Sequence, residues 1–552
     1  MPTDIEIAQS IKPFKINRIA KQLKLSDEQI EAYGHYKAKI NTSVPSLKSG
    51  KKGQLILVTA LTPTAAGEGK STVSIGLADG LRRLKKNVCL ALREPSLGPC
   101  FGIKGGATGG GWSQVIPMED INLNFTGDIH AITAANNLLC AMIDNHIKHG
   151  NELKLKNIFF KRCVDLNDRA LREIEIGLGG KLNGIPRKDG FNISVASEIM
   201  AILCLAENLA DLKAKINQIV IGENEDGKPV YAKDLKAAGA MSAILKDAIK
   251  PNLVQTLEHT PAIIHGGPFA NIAHGTSSVI AAKTALSLAD YVVTEAGFGA
   301  DLGAEKFFDI FGRLSGLSPN AVVLVATVRA LKMHGGVAKE DLGNEDLSAI
   351  KNGFANLKAH IENIKKFGYT PVVAINRFVK DTTKELTLVK KLCQQEGVKA
   401  VISEGWGKGG KGCINLAKAV LETVEINVTP KLLYTDNLLL EEKIKIIAKE
   451  IYGAGKVSFT NKAKKELAKF SSWGYGGLPI CIAKTQNSIS HDKNLLGAPK
   501  GYVFPITEVR LSAGAGFVVA LSGNINTMPG LPKHPAAEEI DTDDNGNISG
   551  LF

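Results

Sequence analysis

Residues 55–86 read LILVTALTPTAAGEGKSTVSIGLADGLRRLKK, and this stretch decides the fold. An apolar run at 55–60 stops at a loop that contains Gly67 and Gly69, and an amphipathic pattern follows it at once. When a strand, a glycine-rich loop and a helix follow one another in this way, backbone N–H groups surround phosphate oxygens at the positive end of the helix dipole. The stretch therefore predicts a nucleotide-binding loop, with a plain glycine-rich turn as the alternative.

The side chains of this loop suit ATP. Lys70 is placed to reach the β- and γ-phosphates, and the Ser71 hydroxyl is placed to ligate Mg²⁺. Thr64 stands where the strict motif has glycine, so the physical context supports the assignment although the regular pattern fails. The predicted ATP-binding residues of the loop are Thr64, Ala65, Ala66, Gly67, Glu68, Gly69, Lys70, Ser71 and Thr72.

Apolar runs that end at glycine and polar residues recur along the chain. The further runs are 88–92, 262–264, 291–294, 321–326, 371–375 and 400–402. Stretches with helical periodicity separate several of them, at 71–85, 349–367 and 383–396. This alternation is typical of β-α-β units. The predicted fold class is therefore α/β, P-loop NTPase-like, with a mostly parallel sheet and flanking helices.

The ends of these runs predict one extended active-site rim, because ligands bind at the carboxyl ends of parallel strands. The runs end in TPTAAGEGK, REPSLGP, HGGPFANIAHG, EAGFGADLGAEK, TVRALKMHGG, NRF and SEGWGKGG. The predicted domains are an N-terminal P-loop domain at 1–368, with an excursion at about 151–260, a second α/β domain at 369–478 and a small C-terminal domain at 479–552.

Composition indicates a large folded protein. The chain has 552 residues, of which 44% are hydrophobic and 22% charged, enough for a sizeable core. The net charge of +12 suits an anionic partner, but lysines spread along the whole chain are equally expected on a solvated surface. The sequence shows neither an apolar run of about 18 residues nor a signal-peptide pattern, so we expect no membrane segment and a cytoplasmic location. The scattered cysteines are expected to be reduced.

An ATPase that binds DNA or a membrane surface is the alternative from another class. Dimerising ATPases of that kind carry an additional lysine in a KGGxGK[ST] arrangement, and this chain has Ala65 at that position. The basic clusters also lack interleaved aromatic residues, which argues against nucleic acid as a partner.

Long and unusual stretches accompany the phosphate loop: GIKGGATGGGW (102–112), FTGDIHAI (125–132), VATVRALKMHGG (325–336) and EVRLSAGAGFVV (508–519). Together with TPTAAGEGKS and REPSLGPCFG, they resemble the formate–tetrahydrofolate ligase family over essentially the full length. The chain departs from the family's usual pattern at Ala65, Thr108, Trp112 and Lys411.

The resemblance implies that ATP, formate and tetrahydrofolate give 10-formyltetrahydrofolate, ADP and phosphate through formyl phosphate, in one-carbon metabolism. It also implies MgATP as a substrate, Mg²⁺, a monovalent cation (K⁺ or NH₄⁺), no covalent cofactor and a homotetramer. An enzyme that formylates or carboxylates another amine through an acyl phosphate remains an alternative.

The predicted catalytic residues are Lys70, Arg93, Asp128 and His130. Arg93 follows the strand after the phosphate helix, so its guanidinium is expected to bind the transferring phosphoryl group, unless it only pairs with Glu94. Glu94 is the candidate for the monovalent cation. Asp128 and His130 stand two apart, which on an extended segment places them on one side, either to orient substrate or move the N10 proton, or as hydrogen-bonded structure.

Phe378 and Trp406 follow two successive runs, so their rings are expected to hold a flat pterin between them, in agreement with the resemblance; the alternative is a pair of core aromatics. Gly105, Gly106 and His265 are further candidates for substrate binding. In the manner of the family, Ser512, Ala513 and Gly514 are expected near the adenine of ATP.

Overall fold

The computed structural model describes residues 2–42, 53–64, 67–103, 108–523 and 525–551. The strands in chain order are β1 (Ile30–Ala32), β2 (Ala38–Ile40), β3 (Gln54–Ala60), β4 (Val88–Leu92), β5 (Gly109–Gly110), β6 (Ser113–Ile116), β7 (Leu155–Ile158), β8 (Arg162–Val164), β9 (Ile174–Ile176), β10 (Arg187–Asp189), β11 (Phe191–Ile193), β12 (Val220–Asn224), β13 (Pro229–Tyr231), β14 (Asn252–Thr256), β15 (Pro261–Ile264), β16 (Tyr291–Glu295), β17 (Ala321–Ala326), β18 (Val372–Asn376), β19 (Ala400–Ser403), β20 (Lys456–Phe459), β21 (Ile480–Ala483), β22 (Val503–Ile506), β23 (Glu508–Ser512), β24 (Phe517–Leu521), β25 (Asp541–Thr542) and β26 (Ile548–Ser549).

The α-helices in chain order are α1 (Asp4–Ser10), α2 (Ile16–Gln22), α3 (Lys70–Arg83), α4 (Leu97–Gly102), α5 (Met118–Asn122), α6 (Asp128–Lys148), α7 (Glu198–Leu205), α8 (Leu209–Asn217), α9 (Ala238–Ile244), α10 (Val279–Leu288), α11 (Arg313–Ser315), α12 (Val328–His334), α13 (Leu347–Lys366), α14 (Thr383–Gln395), α15 (Gly405–Lys408), α16 (Ile414–Val424), α17 (Leu440–Glu450) and α18 (Asn461–Ser472). Two π-helical segments, Ala300–Ala304 and Phe307–Gly312, precede α11.

One large sheet organises the molecule. Within the described residues it has 12 strands, in the order β1-β2-β14-β15-β4-β16-β3-β17-β18-β19, with β6 beside β14 and β5 beside β6. Every neighbouring pair from β15 to β19 along this order is parallel. These parallel strands coincide with the apolar runs of the sequence. The predicted α/β class with a mostly parallel sheet and many helices is confirmed.

The parallel strands are apolar along their whole length because helices cover both faces of the sheet. Alternate residues of β3 enter different clusters: Leu55 and Leu57 pack in one hydrophobic core, and Ile56 and Val58 in another. This period of two is the geometry of a strand. In a sheet buried in this way, the side chains that can contact a ligand lie only at the strand ends.

The sheet continues past the domain boundary predicted at 368. β18 pairs with β17, and β19 pairs with β18, so both belong to the main sheet. Gly368, with φ of 94°, follows the last residues of α13 and ends that helix in a left-handed conformation. The glycine marks a helix-to-strand turn.

Smaller sheets lie outside the main one. Those formed by β7 to β13 fall in the predicted excursion, although β14, within the same range, joins the main sheet. The chain after α17 forms separate small sheets of β20 and β22, of β21, β24 and β23, and of β25 and β26. The division into three domains stays a prediction.

Every cysteine is buried as a free thiol, as the scattered spacing predicts. Burial raises the pKa of Cys89 and of Cys413 to about 12 each, so these thiols stay protonated. In the part of the chain that the structure describes, no helix is both long and apolar enough to cross a membrane.

Candidate active site

The loop between β3 and α3 bends through glycines in the left-handed backbone region. φ is 74° at Gly67 and 66° at Gly69, and α3 begins at Lys70, directly after Gly69. A Cβ atom on Gly69 would lie 2.3 Å from Nδ2 of Asn376, so the close approach of β18 also requires glycine. The helix therefore starts where the sequence predicts it. Ala65 and Ala66 lie outside the described residues.

Glu68 braces this loop from inside. Its Oε1 accepts a hydrogen bond from the backbone N–H of Thr64 at 2.7 Å, and its Oε2 accepts one from the hydroxyl of Thr327. Its backbone carbonyl accepts from Nδ2 of Asn376 at 3.0 Å. Burial raises the pKa of Glu68, while the charge of Arg329 and the hydrogen bonds oppose that rise. The side chain of Glu68 thus stabilises the conformation of the loop.

Arg93 and Ser71 meet at one carboxylate, that of Glu295 at the end of β16. The Ser71 hydroxyl donates to Oε2 of Glu295 at 2.8 Å, and Nη2 of Arg93 lies 3.6 Å from Oε1 of the same carboxylate. Burial lowers the pKa of Lys70, which the charge of Glu295 opposes and that of Arg93 reinforces. The ends of β4 and β16 and the start of α3 thus form one charged centre. Thr72 is buried in the first turn of α3.

Arg93 keeps donors available at this centre. Its Nη1 donates to the backbone carbonyl of Pro268 at 3.3 Å, and its Nε has no hydrogen-bond partner among the described residues. Its carboxylate neighbour in the structure is Glu295. A guanidinium with free donors, next to a lysine and a helix N-terminus, is suited to binding two anions side by side.

Glu295 is the residue of this centre that the sequence analysis missed. It directly follows the run at 291–294, so its position at the carboxyl edge was the available signal. Together with the Ser71 hydroxyl it offers hard oxygen donors, the type that Mg²⁺ prefers; nucleotide phosphates and water usually complete such a coordination shell.

Glu94 and Asp128 lie in a buried polar cluster beside the sheet. Nζ of Lys39 donates to Oδ1 of Asp128 at 2.7 Å, and Nδ2 of Asn252 donates to Oδ2 at 2.7 Å. Burial raises the pKa of Glu94 well above its usual range; Asp128 adds to this rise and Lys39 opposes it. Within the described ranges, Oε2 of Glu94 has no hydrogen-bond partner. Both oxygens of Asp128 are bonded, whereas one oxygen of Glu94 remains available.

The expectation that Asp128 and His130 share one side of an extended segment is wrong. Asp128 is the first residue of α6, and residues two apart on a helix are about 200° apart around its axis. Asp128 is 2% exposed, whereas His130 is exposed. The helix is capped by the backbone of Gly127, with φ of 87°, and not by a hydroxyl or carboxamide, so the sequence lacked the usual signal of a helix start.

His265 follows β15 and is closed to ligands in this structure. Its Nδ1 shares a hydrogen bond with the hydroxyl of Ser278 at 2.6 Å, and its Nε2 with the carbonyl of Ala248 at 2.7 Å. Burial lowers the pKa of His265 to about 4, so the ring is neutral. Both ring nitrogens are engaged by the protein.

Phe378 and Trp406 follow the neighbouring strands β18 and β19, as predicted from the runs. Both rings are half-buried. Cζ of Arg329 lies 3.9 Å from the ring centroid of Phe378. A Cβ atom on Gly111 would lie 2.8 Å from Cγ of Trp406, so this glycine allows the backbone to pack on the indole. Among the described aromatic contacts none joins the two rings.

The turn with Ser512, Ala513 and Gly514 packs on the excursion. The backbone N–H of Gly514 donates to Oε1 of Glu198 at 2.7 Å, and a Cβ atom on Gly514 would lie 2.5 Å from the carbonyl of Lys215. This turn forms hydrogen bonds with Glu198 of α7 and within the hairpin of β23 and β24. None of the described hydrogen bonds joins the turn to the phosphate loop. Gly105 and Gly106 lie outside the described residues.

The comparison with protein families agrees with the resemblance seen in the sequence. A family model for formate–tetrahydrofolate ligase matches residues 2–552, which include every strand and loop of the site. This match selects the ligase among the alternatives that the sequence left open. The chain therefore belongs to the formate–tetrahydrofolate ligase family, whose members join formate to tetrahydrofolate in one-carbon metabolism, a ligation that implies ATP as the energy source.

Proposed function

We propose that this ligase works through formyl phosphate. Formate is a poor electrophile because its negative charge is delocalised, and phosphorylation converts it into an acyl donor with a good leaving group. A formate oxygen bonds to the γ-phosphorus while the bond from that phosphorus to the bridging oxygen breaks, which releases ADP. N10 of tetrahydrofolate then bonds to the formyl carbon, the bond from that carbon to the phosphate oxygen breaks, and N10 loses its proton.

The approach of Arg93 to Glu295, which also binds Ser71 next to Lys70 at the start of α3, carries this proposal. Formate and the γ-phosphate are both anions, and bringing them into contact requires cations on either side of the transferring group. We assign the β- and γ-phosphates to Lys70 and the loop N–H groups, and formate and the transferring phosphoryl group to Arg93. Nη2 of Arg93 lies 3.6 Å from the carboxylate of Glu295, and the same carboxylate binds Ser71 of the phosphate helix. The guanidinium therefore lies beside this helix, which supports the assignment.

Magnesium enters this proposal with ATP. Ser71 and Glu295 are the residues that would hold it, because a hydroxyl and a carboxylate 2.8 Å apart are hard oxygen donors beside the phosphate loop. When bound, the ion neutralises phosphate charge. Glu94, with its unpartnered buried oxygen, is our candidate for the monovalent cation, K⁺ or NH₄⁺.

We assign the pterin to the space between Phe378 and Trp406, and the adenine to the turn of Ser512, Ala513 and Gly514. Stacking of a flat ring on one aromatic side chain contributes about 1 to 3 kcal/mol in comparable nucleobase sites. Gly105 and Gly106 are proposed to shape the loop around substrate. From the family we also infer a homotetramer and a cytoplasmic location.

Isotope transfer tests the proposed route. The protein is incubated with MgATP, ¹⁸O-labelled formate and tetrahydrofolate; one portion is acidified to reveal the methenyltetrahydrofolate chromophore, and phosphate from another is analysed by mass spectrometry. We expect the chromophore, and one formate oxygen in the released phosphate. Chromophore with unlabelled phosphate would overturn the formyl phosphate route. Absence of chromophore with demonstrably folded protein would overturn the ligase activity of this chain.

A further inference from the structure

Arg329, the second residue of α12, lies between the phosphate loop and the ring of Phe378. Its Nη2 donates a hydrogen bond to the backbone carbonyl of Gly67, and its Cζ lies 3.9 Å from the centroid of the Phe378 ring. Its Nε is buried and has no hydrogen-bond partner among the described residues. One guanidinium thus touches both proposed substrate sites, and the proposed chemistry gives it no role.

On the loop side, Arg329 supports the conformation that phosphate needs. In an anion-binding loop, successive N–H groups turn inward, so the carbonyls turn outward. Arg329 binds the carbonyl of Gly67, and its neighbour Thr327 binds the side chain of Glu68. The start of α12 therefore holds two consecutive residues of the loop. A bound nucleotide and this hydrogen bond favour the same arrangement of the loop.

On the ring side, the guanidinium covers one face of Phe378. A cation over an aromatic face within about 6 Å of the centroid is attracted to the ring. The opposite face of the ring stays open to a flat ligand, and the contact with the guanidinium restrains the tilt of the ring. Asn376 gives a second connection between the ring and the loop. It stands two residues before Phe378, and its Nδ2 donates to the carbonyl of Glu68 at 3.0 Å.

We propose that Arg329 is a positioning residue that couples the two substrate sites. Nucleotide in the phosphate loop fixes the carbonyl of Gly67, this carbonyl holds the guanidinium on Phe378, and the restrained ring binds the pterin more tightly. The coupling is reciprocal, so tetrahydrofolate tightens nucleotide binding by the same factor. This inference rests on the proposed function, because it takes Phe378 as a pterin-binding ring.

The test measures the affinity for tetrahydrofolate by calorimetry on the full chain, with and without a non-hydrolysable ATP analogue and Mg²⁺, in the absence of formate. The ratio of the two dissociation constants reports the coupling. We expect a ratio of about 5 or more for the unmodified protein, the lower end of typical couplings. Arg329→Gln should bring this ratio close to 1. Arg329→Lys, which keeps the charge but loses the planar fork, should retain part of it.

Arg377→Gln is the matched control, because Arg377 directly precedes Phe378 but pairs with Glu404 and is exposed. It should keep the unmodified ratio. If Arg329 is merely structural, Arg329→Gln would lower the melting temperature or weaken tetrahydrofolate binding equally with and without nucleotide. The ratio of the two dissociation constants would then stay unchanged. Should Arg329→Gln fail to fold, Arg329→Lys carries the test. A ratio near 1 in the unmodified protein, or an unmodified ratio in folded Arg329→Gln, would overturn the inference.

Phe378→Ala separates this inference from the function on which it rests. If this variant binds tetrahydrofolate as tightly as the unmodified protein, the pterin assignment itself is wrong. If Phe378→Ala weakens tetrahydrofolate binding while Arg329→Gln keeps the coupling ratio, the pterin assignment stands and only the role of Arg329 is wrong.

Discussion

Two polar clusters border the same sheet, and they are built in opposite ways. Around Glu295, the hydroxyl of Ser71 and the guanidinium of Arg93 meet one carboxylate, and Nε of Arg93 has no hydrogen-bond partner in the described part of the chain. Around Asp128, the ammonium of Lys39 and the amide of Asn252 bond both carboxylate oxygens. Both clusters place a cationic side chain beside a carboxylate. Buried polar groups are normally satisfied, so the donors left over mark the ligand site.

The largest effect that this comparison predicts is at Lys70. Lys70→Ala should lower the rate of ATP- and formate-dependent product formation by about a thousandfold or more, because a preorganised charge at the transferring phosphate is lost. The measurement is methenyltetrahydrofolate formation after acidification, with the melting temperature as the folding control. Turnover like that of the unmodified protein would rule out the phosphate-loop assignment.

Asp128→Asn should have its main effect on stability. Removing one charge leaves Lys39 buried and unpaired, and breaking a buried pair in this way costs about 3 to 5 kcal/mol. We expect a lower urea midpoint and, in the folded fraction, nearly unchanged kcat. Lys39→Met in the same background should recover part of the stability because it removes the unpaired charge. A large loss of kcat at unchanged stability would instead place Asp128 in the chemistry.

The strands and the phosphate loop were predictable because their signals are local. Continuous apolar runs indicate strands that are buried on both faces of the sheet. Gly67 and Gly69 indicate a left-handed backbone conformation that other residues rarely adopt. The helix start at Lys70 follows from the same pattern. Such features depend on neighbours within a few positions of the chain.

Partners across the sheet were not predictable, because they depend on strand order. β16 lies between β4 and β3, and this order brings Glu295 beside Arg93 and Ser71. Glu295 is more than 200 positions away from each of these two residues along the chain. The runs indicate that the strands are parallel, but not which ones are neighbours. The same reason hides the contact of Arg329 with Gly67. The helix at Asp128 was missed for a local reason, since Gly127 caps it without a side chain.

Arg93→Lys tests whether the free donors of the first cluster act in catalysis. An ammonium keeps the charge but cannot form the planar fork, so we expect a loss of about 100- to 1000-fold in kcat, the range for losing a transition-state donor. The substitution should leave the urea midpoint nearly unchanged. Retention of most activity would reduce Arg93 to a structural partner of Glu295 and weaken the contrast between the two clusters.

Trp406→Ala probes a different part of the rim. Loss of one stacking face should weaken tetrahydrofolate use by roughly 5- to 150-fold and leave nucleotide affinity unchanged. Phe378→Ala should behave similarly, and the double variant should lose less than the sum. Trp473→Ala, outside the site, is the matched control. Equal losses of ATP and tetrahydrofolate affinity, or no loss of either, would show that Trp406 is a core aromatic.

The smallest effect is expected at His130, which separates it from its neighbour Asp128. The imidazole is exposed on α6; burial raises the pKa of Asp165, and the hydrogen bonds from Ser96 and Leu97 and the charge of His130 oppose that rise. Substitutions at exposed positions without special contacts usually change stability by less than about 0.5 kcal/mol. His130→Ala should therefore change kcat/KM by about twofold or less, and the pH profile of kcat should keep its shape, because the buried Asp165 keeps its hydrogen bonds from Ser96 and Leu97. If His130 instead moves the N10 proton, the variant would lose at least about tenfold in kcat, as the loss of a general base does, and the pH profile of kcat would change its shape. Measuring both quantities distinguishes these outcomes, since a purely structural defect would lower kcat at every pH alike.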